Sequence, residues 1–277
     1  MSIRAAIAYE DWLIGGATLS ASLPEDWQPI GDESLLFTPQ LSECAGFLRS
    51  EFSSTGTWTI DRVIDGIRDI AYVSLLDFRH AGGSYLIQVY VLPPSGDPGL
   101  IYEGVDYGGY PSSDFVRHLH IPIETPVSGV GIRVSVTVLS ATAETQISVG
   151  RVWAGPLYVV PEGIKRGWRS GQIDPGESQR SPGGQNYPDP QQRRRWVKMN
   201  FSHVEYEQAY GNELNTVMDF QQLQMRIGRT TPCIVFPRMQ SHAMHRVGIY
   251  GAVTEWDPIE NVGGDYFTTG LRIEEDL

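Results

Sequence analysis

The chain has 277 residues, of which 41% are apolar and 19% charged, and a net charge of −12. That is long enough for two folded domains and too acidic overall to expect a nucleic-acid partner. No run of about 18 apolar residues is present, which argues against a transmembrane helix and direct membrane insertion.

The opening Met1–Glu10 is too short and too soon acidic for a signal peptide, so folding in a cytoplasm is expected. The first strand signals are Ile3–Ala8 and the alternating Thr18–Ser22. Cys44 and Cys233 lie in different halves, and in a reducing compartment they predict two buried apolar residues rather than a disulfide. Thr57–Asp61, Ile70–Phe78 and Tyr85–Leu92 read as strands, and Val130–Leu139 puts Val130, Ile132, Val134, Val136 and Val138 on one face. Gln146–Trp153 follows. Turn signals separate these runs at Gly15-Gly16, Gly82-Gly83, Pro93–Pro98 and Gly108–Pro111. Many short strands without a long amphipathic helix predict a β-sandwich over residues 1 to about 160.

From Gly163 to Gln192 glycine and proline leave no room for a regular element, and the spacing predicts a linker or arm over 161–192. Trp168, Arg169, Arg180 and Tyr187 lie inside it, and bulky aromatics in a pure linker are unusual, so an arm contacting a partner is the sharper expectation. The region 193–277 reads as a smaller α+β domain. Arg195–Phe201 alternates as a strand, and Ser202-His203-Val204-Glu205 has the form of a capping box. One main helix then carries the stripe Tyr206, Ala209, Tyr210, Leu214, Val217 and Met218, with Gly228 at its end. Strands at Cys233–Phe236, Val247–Trp256 and Tyr266–Ile273 complete it. The expected fold class is thus mainly β, a sandwich followed by a small α+β domain.

The catalytic templates fail. No glycine-rich phosphate loop and no Gly-x-Ser-x-Gly elbow is present. His118/His120 and His242/His245 lack further ligands at a known spacing, so ordinary surface or turn histidines and no metal are expected. Asp106, Asp114 and Glu124 are scattered among loop residues rather than set as a glycosidase pair. No cofactor and no enzymatic activity are expected. The run Arg193-Arg194-Arg195 alternates in direction and reads as a polar rim facing an acidic neighbour, or as a solvated strand edge. All basic residues but Lys165 and Lys198 are arginines, which fits either protein contacts or a GC-rich coding bias.

The ordered motifs resemble a known group. Ala17–Ser22, Leu48-Arg49-Ser50, Trp58–Asp61 and Gly131–Val136 resemble galactose-binding-like (discoidin-type) jelly-roll domains. The exit Ile147–Pro156 is similar to that of siphophage minor tail proteins. So are Gly167-Trp168, the strand Arg193–Phe201, Phe236-Pro237, Gly248–Gly251 and the Ile273-Glu274-Glu275 ending. The segment Ile64–Asp69 departs from the pattern, replacing a short turn. The resemblance implies a jelly roll plus a tail-hub-like domain, in a structural tail-tip or baseplate component of a virion assembled in the host cytoplasm. Its partners would be other tail proteins and copies of itself in a ring, with Trp168, Arg169, Tyr187, Arg193, Arg194 and Arg195 at contacts. The alternative is a virion adhesin that recognises a host surface glycan.

Overall fold

The computed structural model describes all residues except 1–3, 17, 51–54, 82–83, 107–117, 141–144, 163, 181–185, 190–192, 212–217, 240–243 and 277. The chain forms two compact units. A sandwich unit takes Glu10–Leu157 and Ser241–Gly248, and a split unit is assembled from Met1–Tyr9, Tyr158–Gln240 and Ile249–Leu277.

Strand β1 (Ala6–Ala8) is fully buried and belongs to the split unit. The sandwich unit then contributes β2 (Thr18–Ser22), β3 (Gln28–Ile30), a 3-10 turn at Glu33–Phe37, β4 (Ala45–Arg49), β5 (Thr57–Leu76) and β6 (Arg79–Ala81). It continues with β7 (Ser84–Leu92), β8 (Gly99–Asp106), β9 (Leu119–Ser140), β10 (Thr145–Val149) and β11 (Arg151–Gly155). These make two antiparallel sheets, β3-β4-β10-β6 and β11-β5-β9-β7-β8, with β2 also paired to β5. The period-2 pattern explains the layers: β7 alternates buried and half-buried at every residue, turning Tyr85, Ile87, Val89 and Val91 inward. They meet Trp58, Ile60, Val134, Val136 and Ile147 in one core. Phe47 joins the layers, with its ring 4.5 Å from Trp27 and 5.8 Å from Trp58. The sandwich expected from the alternation is therefore present, and the chain is mainly β.

The split unit continues with β12 (Leu157–Val159), β13 (Lys165–Ile173), β14 (Glu177–Arg180), β15 (Asn186–Asp189), β16 (Arg194–Glu205), α1 (Tyr206–Tyr210), α2 (Phe220–Ile227) and β17 (Cys233–Phe236). After a short helix α3 (Met244–Val247), which belongs to the sandwich unit, β18 (Ile249–Gly263) and β19 (Tyr266–Glu275) close the chain. Seven strands form one sheet in the order β12-β1-β17-β18-β19-β16-β13. Ile7, Val197, Met199, Phe201, Val235, Ile249, Leu271 and Ile273 bury one face of it beneath Phe220 and Leu223 of α2.

Three expectations change. First, the N-terminal boundary moves: β1 pairs with β17 in the register Ala6↔Phe236 to Ala8↔Ile234, so the sandwich is an insertion between β1 and β12. A short apolar run announces a buried strand without naming its partner. Second, the segment read as irregular holds β13, which pairs with β16 from Lys165↔Ser202 to Ile173↔Arg194. Its glycines are tolerated because Gly167 faces open space and the Trp196 indole lies over Gly171, where an added Cβ would meet it at 2.7 Å. A neighbouring aromatic side chain can make good the surface an edge glycine lacks.

Third, the single main helix is divided. Gly211, at φ 79°, ends α1 one residue after Tyr210, and Asp219 caps α2 by accepting from the Gln222 N–H at 2.8 Å. Leu214 and Val217 lie outside the described residues. The expected cap at Ser202 is instead strand, with a bulge between Ser202 and Val204, and the box closes three residues later, where the Glu205 N–H donates to Gln208 Oε1 at 3.0 Å. Gly228 ends α2 as expected.

Candidate functional site

The sandwich unit carries a polar cleft of about 190 Å³ lined by Glu10, Trp12, Ile14, Ile64, Asp65 and Arg68, with Asp11 and Gly16 at its base. One wall is the turn at residues 12–15, which Asp11 fixes. The Asp11 carboxylate accepts from Arg151 Nη2 at 2.6 Å and Nε at 3.2 Å, from the Leu13 N–H at 3.1 Å and from the Ala154 N–H at 3.3 Å. The Asp11 and Arg151 side chains are 1% and 0% exposed. Burial pushes the Asp11 carboxyl above its ordinary value, and the Arg151 guanidinium and the two backbone donors oppose that rise. The Trp12 N–H donates to the Ala154 carbonyl at 2.9 Å, and Arg62 Nε donates to the Leu13 carbonyl at 3.2 Å. The backbone that carries Trp12 is therefore held by a base that cannot shift without exposing or unpairing a buried charge, and the Trp12 side chain packs, half-buried, against the sandwich core.

The other wall is an excursion of β5. The ladder to β9 runs Val63↔Gly131 and resumes at Arg68↔Gly129, so Ile64–Ile67 leave the pairing. Ile64 is buried in the core while Asp65, Ile67 and Arg68 are exposed, and Gly66 takes φ 75° to turn the chain. This is the segment that breaks the resemblance pattern, and it supplies Asp65 and Arg68 to the cleft. The Arg68 guanidinium lies 5.6 Å from the Trp12 ring centroid, within cation–π range. Gly16 lets the two walls meet: an added Cβ there would lie 2.5 Å from the Val63 carbonyl oxygen. The Trp12 Nε1–H is shielded and has no acceptor among the described residues.

The residues singled out in the sequence are placed as follows. His118 and His120 are buried rather than at the surface. His118 Nδ1 accepts from the Asp77 N–H at 3.0 Å, and His120 Nδ1 lies 2.6 Å from the Tyr72 hydroxyl. Burial holds the Tyr72 phenol well above its usual pKa. The sequence does not pair His245 with His120, yet its ring stacks on His120 at 5.9 Å and its Nδ1 accepts the His120 N–H at 3.1 Å. The surface-histidine expectation therefore fails for this group, which fastens α3 to β9. Among the described residues no three histidine, cysteine or carboxylate side chains could hold a metal ion. Asp114 and His242 lie outside those residues, and Glu124 is an exposed strand residue.

The arginine run divides. Arg193 pairs with Asp174 at 2.9 Å, Arg195 pairs with the buried Glu275 at the end of β19, and Arg194 is exposed. Two of the three expected partner contacts are thus already engaged within the chain. Trp168, at 43% exposure, and Arg169 stand exposed on β13, and Tyr187 lies on β15. The Trp12 cleft was not among the expected sites. Its one signal in the sequence was the unmatched Ile64–Asp69 segment.

No family model matches the chain, and no curated protein does. Among solved structures it is similar to the family 32 carbohydrate-binding module of Clostridium perfringens NanJ in complex with galactose, at 10% identity over 55% of this chain and 99% of that one, with a TM-score of 0.37. It is similar to chitosan-binding module 1 of a chitosanase/glucanase from Paenibacillus sp. IK-5, at 16% identity over 53% and 99%, with a TM-score of 0.38. A third is a Clostridium perfringens family 32 module in complex with GalNAc-β-1,3-galactose, at 12% identity over 52% and 99%, with a TM-score of 0.37.

Proposed function

We propose that the sandwich unit is a non-catalytic glycan-binding module whose ligand seats in the cleft beside Trp12. The observation that carries this reading is a fixed indole sharing one shallow cleft with Glu10, Asp65 and Arg68. A pyranose has a face of C–H groups and a rim of hydroxyls. The indole offers apolar surface to the face, and the carboxylates and guanidinium offer acceptors and donors to the rim. Catalysis is no part of the reading, since the sequence contains no recognisable nucleophile or acid–base pair. Titration of the full chain with a panel of mono- and disaccharides, followed by calorimetry or NMR, tests it. Saturable binding that weakens at least about tenfold in Trp12→Ala is expected, a loss of roughly 1.4 kcal/mol. No saturable binding to any sugar at ~10 mM, or binding unchanged in Trp12→Ala, would sink it.

A second reading concerns the split unit. We infer an assembly role, as a minor tail protein in a virion tail tip or baseplate. The ordered sequence motifs support it, and so does β13, which is exposed along Lys165–Ser170 and carries Trp168 at 43% exposure. Mass spectrometry and cryo-electron microscopy of purified particles test this reading, and particles that lack the chain would refute it.

A further inference from the structure

We propose that the split unit carries a second sugar site, a polar hollow on the outward face of β16, β18 and β19 that takes a neutral pyranose. The proposal stands on the split unit alone and does not need the Trp12 cleft.

The strand pattern sets out the site in rows. Met199, Phe201, Phe267, Thr269 and Leu271 are buried on the core side. By the two-residue alternation Asn200 and Ser202 of β16, and Tyr266, Thr268 and Gly270 of β19, face the other way. In the ladder Gly270 stands between Asn200 and Asp257, and Thr268 stands between Ser202 and Glu260. Asn200, Ser202, Asp257, Glu260 and Thr268, with Pro258, line a hollow of about 370 Å³, a volume suited to a small ligand. Two features open it. Gly270 puts no side chain in the centre, where an added Cβ would lie 2.5 Å from Asp257 Oδ2 and 3.1 Å from Asn200 Oδ1. Both neighbours of β19 also bulge beside Thr268, β16 between Ser202 and Val204 and β18 between Asp257 and Glu260. Bulges bend a strand and re-aim its side chains, here around one hollow.

The lining is fixed from beneath. The Asp257 carbonyl accepts from Gln224 Nε2 of α2 at 3.2 Å and from Thr269 Oγ1 at 3.1 Å, which pins the β18 bulge to the core side. Asp257 Oδ1 accepts from Lys198 Nζ at 3.2 Å, and Oδ2 lies over Gly270. Groups ordered before a ligand arrives cost less to order on binding. At one end Tyr266, 47% exposed, shares the outward face with Thr268, and the ring of the bulged His203 lies 5.8 Å from it. The Tyr266 ring offers an apolar face to the C–H side of a sugar. The hydroxyls, amide and carboxylates beside it offer partners to the sugar hydroxyls. Asp257 and Glu260 set like charge against any anionic ligand. Among the described residues no three histidine, cysteine or carboxylate side chains could hold a metal ion, so the hollow suits an organic ligand better than a cation.

The test uses the full chain as Trp12→Ala, which removes the indole of the other cleft. Glucose, galactose, mannose and N-acetylglucosamine, with glucuronate as the anionic control, are titrated to ~10 mM and followed by NMR. Hydrogen exchange locates the contact. Saturable binding of at least one neutral sugar is expected, with exchange slowed in peptides spanning 200–205 and 257–270 and unchanged in 11–16. Tyr266→Ala should weaken that binding at least about tenfold, and Tyr266→Phe should keep it within about threefold. Glu260→Gln, at an exposed position, should also weaken it, and circular dichroism of all three variants should match the parent. No saturable binding in Trp12→Ala, binding unchanged in Tyr266→Ala, protection confined to peptides outside the hollow, or glucuronate held as tightly as any neutral sugar would each overturn the proposal. Sugar binding present in the wild type and absent in Trp12→Ala would overturn this site and keep the Trp12 cleft. Equal binding in the wild type and Trp12→Ala, lost in Tyr266→Ala, would support this site and remove the other.

Discussion

The Asp11–Arg151 pair makes the sharpest quantitative prediction. Asp11→Ala removes the acceptor for two guanidinium N–H groups and two backbone N–H groups and takes the Asp11 carboxylate from an Arg151 side chain at 0% exposure. Breaking a buried ion pair from one side costs about 3–5 kcal/mol. For a unit of this size each kcal/mol lowers the midpoint by about 2–4 °C, so a fall of roughly 6–20 °C is expected. Removing both charges is a different perturbation. Burial outweighs the attraction at Asp11, as the raised carboxyl pKa implies, so Asp11→Leu with Arg151→Met should recover most of the loss. The two units need not melt together. The assay is therefore urea unfolding with hydrogen exchange followed in peptides spanning Asp11–Gly16 and Arg151–Gly155. A loss under about 1 kcal/mol for Asp11→Ala, or a double variant no better than the single, would refute the reasoning.

The same carboxyl sets a pH dependence. The folded state holds its proton more tightly than the unfolded chain, so this group makes stability fall as pH rises from the unfolded pKa, about 3.9, through the raised folded one. Asp11→Asn should remove that slope in urea midpoints measured across the window. Cys233 is buried, and burial pushes its thiol far up, so a thiol reagent should modify only Cys44 in the folded protein and both cysteines in denaturant. Trp168→Ala should change the unfolding free energy by less than about 0.5 kcal/mol, as for an exposed substitution, while impairing incorporation into virus particles. A large fall in melting temperature would show instead that Trp168 caps its own unit.

Much of the fold was legible because side chains alternate with period two along a half-buried strand. Val130–Leu139 and Tyr85–Leu92 announce both their conformation and their inward faces, and the structure buries those residues. The same signal is silent about partners. Ile3–Ala8 reads as a strand, but nothing in it says that Ala6 will pair with Phe236 after an inserted sandwich. Composition also misled at Gly163–Gln192, where pairing to β16 and the Trp196 cover over Gly171 offset the weak strand propensity of glycine.

By itself the sequence determined the strand-rich class, the inward faces of the long strands, the helix stop at Gly228 and the acidic balance of the chain, because each depends on residues close together along the backbone. Only the tertiary structure decided which distant residues meet. It brought Asp11 to Arg151, Trp12 to Arg68 and His120 to His245, and it left β13 with an open edge. The physical reason is that a buried ion pair, a ring contact and a strand register are satisfied across folded space. Their energies depend on burial and geometry that no spacing along the chain encodes.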